Sequence, residues 1–307
     1  MAAWSELCGV VVTYHPDEQV TENVRAMVGE CGHVVVVDNG STPAICARLA
    51  GIPGVEVIAL GENLGVATAL NRGARRAVAQ GCRWVVTFDQ DSRPQPGMIA
   101  ALQATAEAQP GAAIVVPCVV EPDGSDYRWL RPRPQTRWLF QRIPCRGADL
   151  PAVTAAITSG SMVELKTWQE LGGFEESFFI DYIDVEFCLR VIRSGRRVAV
   201  SSKAKLDHRL GNRAPGVFLG HAFRPMHHQA FRHYYIARNR VRVWRKHAMA
   251  VPHWALFDFC FANYNTFRVL AFEDRKWSKL KATFLGTWDG LKGKEGPCPE
   301  IRARAFR

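Results

Sequence analysis

No two cysteines of the 307-residue chain are spaced C-x-x-C, although nine are present, an odd number. A disulfide framework or a zinc ribbon needs paired spacing, so these residues are expected to be small core side chains in a reducing compartment. The first apolar run ends Thr13-Tyr-His-Pro16 without a G-x-G-x-x-G, which argues against a nicotinamide or flavin enzyme. No charged n-region, apolar h-region and cleavage site open the sequence, so a cytoplasmic location is expected. Spanning a bilayer takes ~20 nearly uncharged residues. The longest candidate, 254–272, is interrupted by Asp258, Asn263, Asn265 and Arg268 and reads as a buried or interfacial helix. Internal repeats are absent. Residues 1–227 also lack a charge excess, with 23 Lys/Arg against 23 Asp/Glu, so the whole formal charge of +10 falls on 228–307, where the count is 16 against 6.

What is present is a large core-forming composition, 48% hydrophobic, which excludes a disordered chain. Continuous β-branched runs at 8–13, 33–38, 55–60, 83–88 and 113–119 read as strands covered on both faces. Helical stretches lie between them, the clearest at 64–80 and 97–108. This alternation predicts an α/β fold with a doubly wound, mostly parallel sheet, whose ligand crevice lies beyond the carboxyl ends of the strands. The Pro- and Arg-rich stretch 121–147 reads as a loop or insertion. Regularity returns at 152–165. Residues 178–194 read as a helix ended by Gly195, 197–201 as a further strand, and 228–247 as a long basic helix. The predicted division is a binding and catalytic body, 1–227, and a basic helical region, 228–307.

Strand ends carry the candidate chemistry. Asp38 closes the run Val34-Val-Val-Val-Asp38 before the turn residues Asn39-Gly-Ser. Asp89 and Asp91, in Phe88-Asp-Gln90-Asp-Ser92, face the same way if that strand continues, and two like charges together call for a hard divalent ion. The alternative is a polar turn with an Asx cap. The stretch Gly61-Glu-Asn63-Leu-Gly65 enters a helix that runs on through Asn71, and its free N–H groups suit an anion. In Asp181-Tyr-Ile-Asp184-Val-Glu186, a helix would put Asp181 and Asp184 on one face and Glu186 within reach of Arg190. An ordinary solvated acidic face with a Glu–Arg pair is the plain alternative. The aromatic and Ile neighbours of Asp181 and Asp184 suit partly buried carboxylates that act as bases. His208 follows the late strand, at the sheet end where an ion held by Asp91 would sit.

In order and spacing these segments resemble the inverting nucleotide-sugar glycosyltransferases of family 2, of GT-A fold. More narrowly they are similar to the dTDP-L-rhamnose-dependent rhamnosyltransferases, including those of rhamnolipid synthesis. The likeness is carried by Val12-Thr13-Tyr, Val37-Asp38-Asn-Gly-Ser, Glu62-Asn63-Leu-Gly through Asn71-Arg-Gly, Phe88-Asp89-Gln90-Asp91-Ser, Thr158-Ser-Gly-Ser, Phe179-Ile-Asp181-Tyr-Ile-Asp184-Val-Glu, Asp207-His208-Arg-Leu-Gly and Tyr234-Tyr-Ile-Ala-Arg238-Asn239. The resemblance implies that Thr13, Asp38, Asn63, Asn71, Asp89 and Gln90 line the donor cleft. It implies that Asp91 and His208 hold Mg²⁺ or Mn²⁺ against the diphosphate, with Asp91 also near the donor. Asp184 would be the base that activates an acceptor hydroxyl. Many members carry Glu-Asp where this chain has Ile183-Asp184, which leaves Asp184 as the matching residue. The implied partners are dTDP-L-rhamnose and an amphiphilic glycolipid or polysaccharide acceptor, such as a rhamnolipid or an O-antigen chain.

A nucleic-acid-binding protein would explain the basic region, but acidic groups mark the expected crevice and no nucleic acid partner is expected. Other readings are a UDP-sugar transferase, a nucleotidyltransferase and a membrane-associated, non-catalytic binding protein. The segments 238–246, 275–281 and 292–307, beside 254–272, suggest peripheral contact with the inner membrane.

Overall fold

The computed structural model describes residues 6–119, 127–145, 147–208, 216–218, 221–223 and 229–298. Its strands are β1 (Leu7–Thr13), β2 (Val34–Asp38), β3 (Val55–Ala59), β4 (Trp84–Asp89), β5 (Ser92–Pro94), β6 (Ala112–Val119), β7 (Arg128–Pro132), β8 (Phe140–Pro144), β9 (Ser161–Glu164), β10 (Arg197–His208), β11 (Gly216–Phe218) and β12 (His221–Phe223). Helices are α1 (Val20–Cys31), α2 (Pro43–Ala50), α3 (Val66–Ala79), α4 (Met98–Ala108), α5 (Leu165–Glu170), α6 (Ile183–Arg193), α7 (Ala230–His247), α8 (Pro252–Phe272) and α9 (Lys276–Leu291). The chain divides into two compact units. One comprises Met1–Arg131, Arg142–Glu176 and Ile183–His208, and the other Pro132–Gln141, Ser177–Tyr182 and Arg209–Arg307. The division expected at 227/228 lies outside the described residues.

In the first unit eight strands form one sheet in the order β3-β2-β1-β4-β9-β6-β10-β5. The pairs β3/β2, β2/β1, β1/β4 and β6/β10 are parallel, and only β9 and β5 run against the rest. The fold is therefore the mixed α/β, mostly parallel architecture expected from the alternating pattern. Val11, Val34, Val36, Val86 and Phe88 bury one face of the sheet against Val24 and Met27 of α1, Leu49 of α2 and Leu102 of α4. Alternate residues face α3, where a Cβ on Gly73 would lie 2.3 Å from Cγ1 of Val10. Only glycine permits that approach. The second unit is helical in its C-terminal part, and among the described residues no helix is long and apolar enough to cross a membrane.

Several sequence expectations change. Residues 178–194 are not one helix: a short 3₁₀ turn at Glu176–Phe178 precedes α6, and Phe179, Asp181 and Tyr182 all have φ between +65° and +67°. Left-handed backbone cannot continue a right-handed helix, so Asp181 and Asp184 do not share a helical face. β4 ends at Asp89 and a turn follows, so the strand alternation that would align Asp89 with Asp91 does not apply. The stretch 121–147, read as a loop or an insertion rather than core, contains the hairpin β7/β8, and Trp129 within it is fully buried. Regular structure in 152–165 begins only at Ser161. Of the basic segment 238–246, Arg238 and Arg242 are buried, and so is Lys279 in 275–281. These are internal charges.

In the second unit α7 and α9 approach at two glycines. A Cβ on Gly286 would lie 2.2 Å from the Tyr234 carbonyl oxygen, and one on Gly290 2.6 Å from that of Arg238. Backbone atoms cannot swing aside as side chains do. Gly286→Ala is expected to cost about 3 kcal/mol, the upper end for overpacking, and to lower Tm by several degrees. Gly29→Ala in α1, where a Cβ meets nothing within 4 Å, should leave Tm unchanged or raise it slightly in the same calorimetric series.

Candidate active site

Strand ends in a parallel sheet stop together, and register places them side by side. Thr13 and Asp38 are direct Cα partners, and Val12 pairs with Asp89. Asp38 is buried, and its carboxylate is fully occupied: Oδ2 accepts the Thr13 hydroxyl at 2.8 Å, while Oδ1 accepts the Ser41 N–H at 2.7 Å and the Gly40 N–H at 3.2 Å. Burial alone would raise its pKa, but the hydrogen bonds from Ser41, Thr13 and Gly40 outweigh it and hold the carboxyl below the ordinary aspartate value. The result is a charged group with a fixed direction.

The turn after β2 is locked to the entrance of α3. Asn39 donates to Asn63 Oδ1 at 3.0 Å and accepts the Leu64 N–H at 2.9 Å, while the same Asn63 oxygen caps the Gly65 N–H. Asn63 thus shapes the loop that precedes the helix. Asn39, which the sequence reading passed over as a turn residue, is its partner. Asn71, placed by the resemblance on the donor cleft, instead turns inward. Its amide donates to the Phe174 carbonyl and to Glu176 and accepts the Phe174 N–H, all within 2.9 Å. An amide so engaged ties α3 to the 174–176 segment.

Gln90 is also structural in this geometry. Its side-chain oxygen accepts the Tyr14 N–H at 2.8 Å and its carbonyl accepts the Asn23 amide at 3.0 Å, so the turn after β4 is stitched to that after β1. Ser159, unassigned by the sequence although quoted in its Ser-Gly-Ser run, sits below this turn. Its hydroxyl is 3.3 Å from the Asp89 N–H and 2.5 Å from the Ser92 hydroxyl. Asp91 lies exposed beyond them. β5 returns along β10 with Ser92 paired to His208, so the His208 backbone stands one register step from Asp91. The His208 side chain lies outside the described residues. Among the described residues, no three or more His, Cys, Asp or Glu side chains form a metal-holding group. An exposed carboxylate with an imidazole-bearing neighbour on the adjacent strand is a donor pair suited to Mg²⁺ or Mn²⁺.

Asp184 is the second residue of α6, half-buried, with Oδ1 accepting the Val185 N–H at 2.8 Å. Its two acidic neighbours are otherwise engaged. Glu186 is buried and paired at 2.7 Å with Arg190, whose fork also grips the Leu171 and Gly173 carbonyls. Asp181 is ion-paired with Arg232.

A sheet of this order, with a polar turn after each central strand and a carboxylate at a nearby helix start, has the GT-A architecture of a sugar-transferring enzyme. The chain belongs to glycosyltransferase family 2: residues 13–200 match the family described as Glycosyl transferase family 2. It is similar over nearly its whole length to the dTDP-rhamnosyl transferase RfbF of Shigella flexneri, at 29% identity over 95% of this chain and 97% of that one. It is also similar to the N-acetylglucosaminyl-diphospho-decaprenol L-rhamnosyltransferase of Mycobacterium tuberculosis, at 28% identity over 65% of this chain and 75% of that one. Among solved structures, S. aureus TarS 1–349 superposes with a TM-score of 0.58 at 15% identity, covering 93% of this chain and 80% of that one. GalNAc-T7, solved with UDP, GalNAc and Mn²⁺, gives 0.59 at 14% identity over 93% and 56%. Those two likenesses concern the fold.

The Asp38 geometry has a pH consequence. A carboxyl whose folded-state pKa lies below its ordinary value of 3.8 stabilises the fold fully above that value, and the stabilisation is lost as pH falls through the folded-state pKa. Asp38→Asn should therefore cost about 1.5–3 kcal/mol in urea unfolding at pH 7, the range for hydrogen bonds to a charged group. The gap between the two proteins should narrow steadily below pH 4.

Proposed function

We propose that this enzyme transfers L-rhamnose from dTDP-L-rhamnose to a hydroxyl of a glycolipid or polysaccharide acceptor, with inversion at the anomeric carbon. The near full-length similarity to a dTDP-rhamnosyl transferase carries the choice of donor. In this reading Asp38 and Thr13 meet the nucleoside, and Asn63 shapes the loop beside it. Asp89 and Asp91 lie towards the diphosphate, and Asp91 and His208 would hold Mg²⁺ or Mn²⁺. When bound, the ion would offset the negative charge of the departing diphosphate.

Asp184 is the base. It lies in the first turn of α6, and its carboxylate is the form that accepts a proton. The acceptor hydroxyl gives its proton to the Asp184 carboxylate as its oxygen bonds to the anomeric carbon. The bond from that carbon to the diphosphate oxygen breaks on the opposite face, and dTDP leaves with the electron pair. One displacement inverts the centre without a sugar–enzyme bond.

An amphiphilic acceptor would reach the enzyme at the cytoplasmic surface of the inner membrane. On α9 the side chains of Trp277, Phe284, Trp288 and Leu291 fall on one face and are all exposed, Trp277 by 78% and Phe284 by 69%. Exposed Lys281 and Lys292 flank them. Aromatics at the headgroup level with cations beside them suit an anionic lipid surface.

Three experiments test these assignments. In a panel of dTDP- and UDP-sugars, divalent-dependent binding and slow hydrolysis should be greatest with dTDP-L-rhamnose. Asp184→Asn should lose transfer with its donor affinity unchanged, and a wild-type turnover in that variant removes Asp184 from the role of base. Burying one large apolar side chain is worth about 1.5–3 kcal/mol. Trp277→Ser with Phe284→Ser should therefore weaken binding to phosphatidylglycerol-containing vesicles more than tenfold, and unchanged sedimentation with vesicles would exclude this face.

A further inference from the structure

The residues just before α6 are held in a costly conformation. In the segment Ser177–Tyr182, within the second unit, Phe179, Asp181 and Tyr182 have φ of 67°, 65° and 66°. Each left-handed non-glycine residue costs about 1–2 kcal/mol. Glycine would make the same turn without that cost. Such strain persists only where neighbouring structure over-determines it, and it concentrates where a geometry must be held.

The holding groups come from α7. Asn239 is fully buried, and the two N–H bonds of its amide are shared among three carbonyls of this segment, those of Phe178 at 3.0 Å, Ile180 at 2.8 Å and Asp181 at 2.9 Å. Arg238, equally buried, donates from its second terminal nitrogen to the Phe178 carbonyl at 3.0 Å and to that of Ser177 at 3.3 Å. About two turns earlier, Arg232 pairs with the Asp181 carboxylate. The Phe179 ring stacks on Tyr235 with centroids 5.2 Å apart. Tyr182, the last residue of the segment, hands the chain directly to Ile183 and Asp184.

We propose that Asn239, supported by Arg238 and Arg232, is a positioning residue for glycosyl transfer. It fixes the left-handed turn from which α6 departs, and so sets where the Asp184 carboxylate meets the acceptor hydroxyl. The proposal rests on the assignment of Asp184 as the base. It gives a task to the Tyr234-Tyr-Ile-Ala-Arg238-Asn239 run.

Steady-state kinetics of Asn239→Ala, beside Asp184→Asn and Val243→Ala, provide the test. A displacement of about 1 Å at a reacting group can cost a hundredfold. Asn239→Ala should lower kcat by tenfold to a hundredfold while the donor KM and the dissociation constant of dTDP stay within twofold. Val243→Ala shortens a fully buried apolar side chain of the same helix and controls for weakened packing alone, so its kcat should stay within twofold. Should Asn239→Ala fail to fold, Arg232→Met removes the ion pair with Asp181 and should lower kcat several-fold with KM unchanged. If Asp184→Asn is inactive while the positioning variants keep kcat, or lose donor binding in parallel with it, the proposal falls alone. An active Asp184→Asn removes the base, and this proposal with it.

Discussion

A parallel sheet ends its central strands at one edge, where each leaves backbone N–H groups that neither strand nor helix can pair. Side chains must take them, because an unpaired buried donor costs about 1–3 kcal/mol. Here the partners are Asp38 for Gly40 and Ser41, Asn39 for Leu64, Asn63 for Gly65, Gln90 for Tyr14 and Ser159 for Asp89. The requirement is structural, yet its solution is a ring of polar groups whose directions are fixed before any ligand arrives. A site for a nucleotide sugar on this fold needs that preorganisation, since its carboxylates must keep their charge and place while an anionic donor approaches.

The same accounting explains which placements could be read from sequence. Asp38 and Asp89 could, because a carboxylate that closes a β-branched run sits at a strand tip whatever the tertiary details. Asn63 and Asn71 look equivalent in sequence, two asparagines around one helix start, but α3 turns one to the loop and the other to Phe174 and Glu176, over a hundred residues on. Nothing local distinguishes them. Asp181 and Asp184 show the limit most clearly. Their i, i+3 spacing is helical, and the local sequence gives no glycine to stop the helix. The left-handed turn found there has its Asp181 carbonyl bonded to Asn239, a partner from another helix that no spacing rule connects to Asp181. The hairpin of β7 and β8 was hidden for a related reason: its Arg and Pro residues read as loop, whereas the buried Trp129 anchors it through packing that composition does not register.

Charge has to be read by location as well as by count. The formal excess of +10 lies in the last quarter of the sequence, but a good part of it never reaches the surface. Arg238 and Arg242 point into the second unit, bound to the carbonyls and the hydroxyl of the 177–178 stretch, and Lys279 is closed against Glu273 at 2.7 Å. A buried guanidinium is tolerated because its five donors can each find an oxygen, and carbonyls at a strained turn supply them. The basic region thus combines two physically different roles. Inward arginines of α7 act as multivalent hydrogen-bond donors that keep a turn in an unfavourable conformation. Outward lysines of α9, beside exposed tryptophan and phenylalanine, remain available to a charged surface. Net charge predicts the second role and is silent about the first, and it is the first that reaches, through the backbone of Tyr182, to the residue assigned as the base.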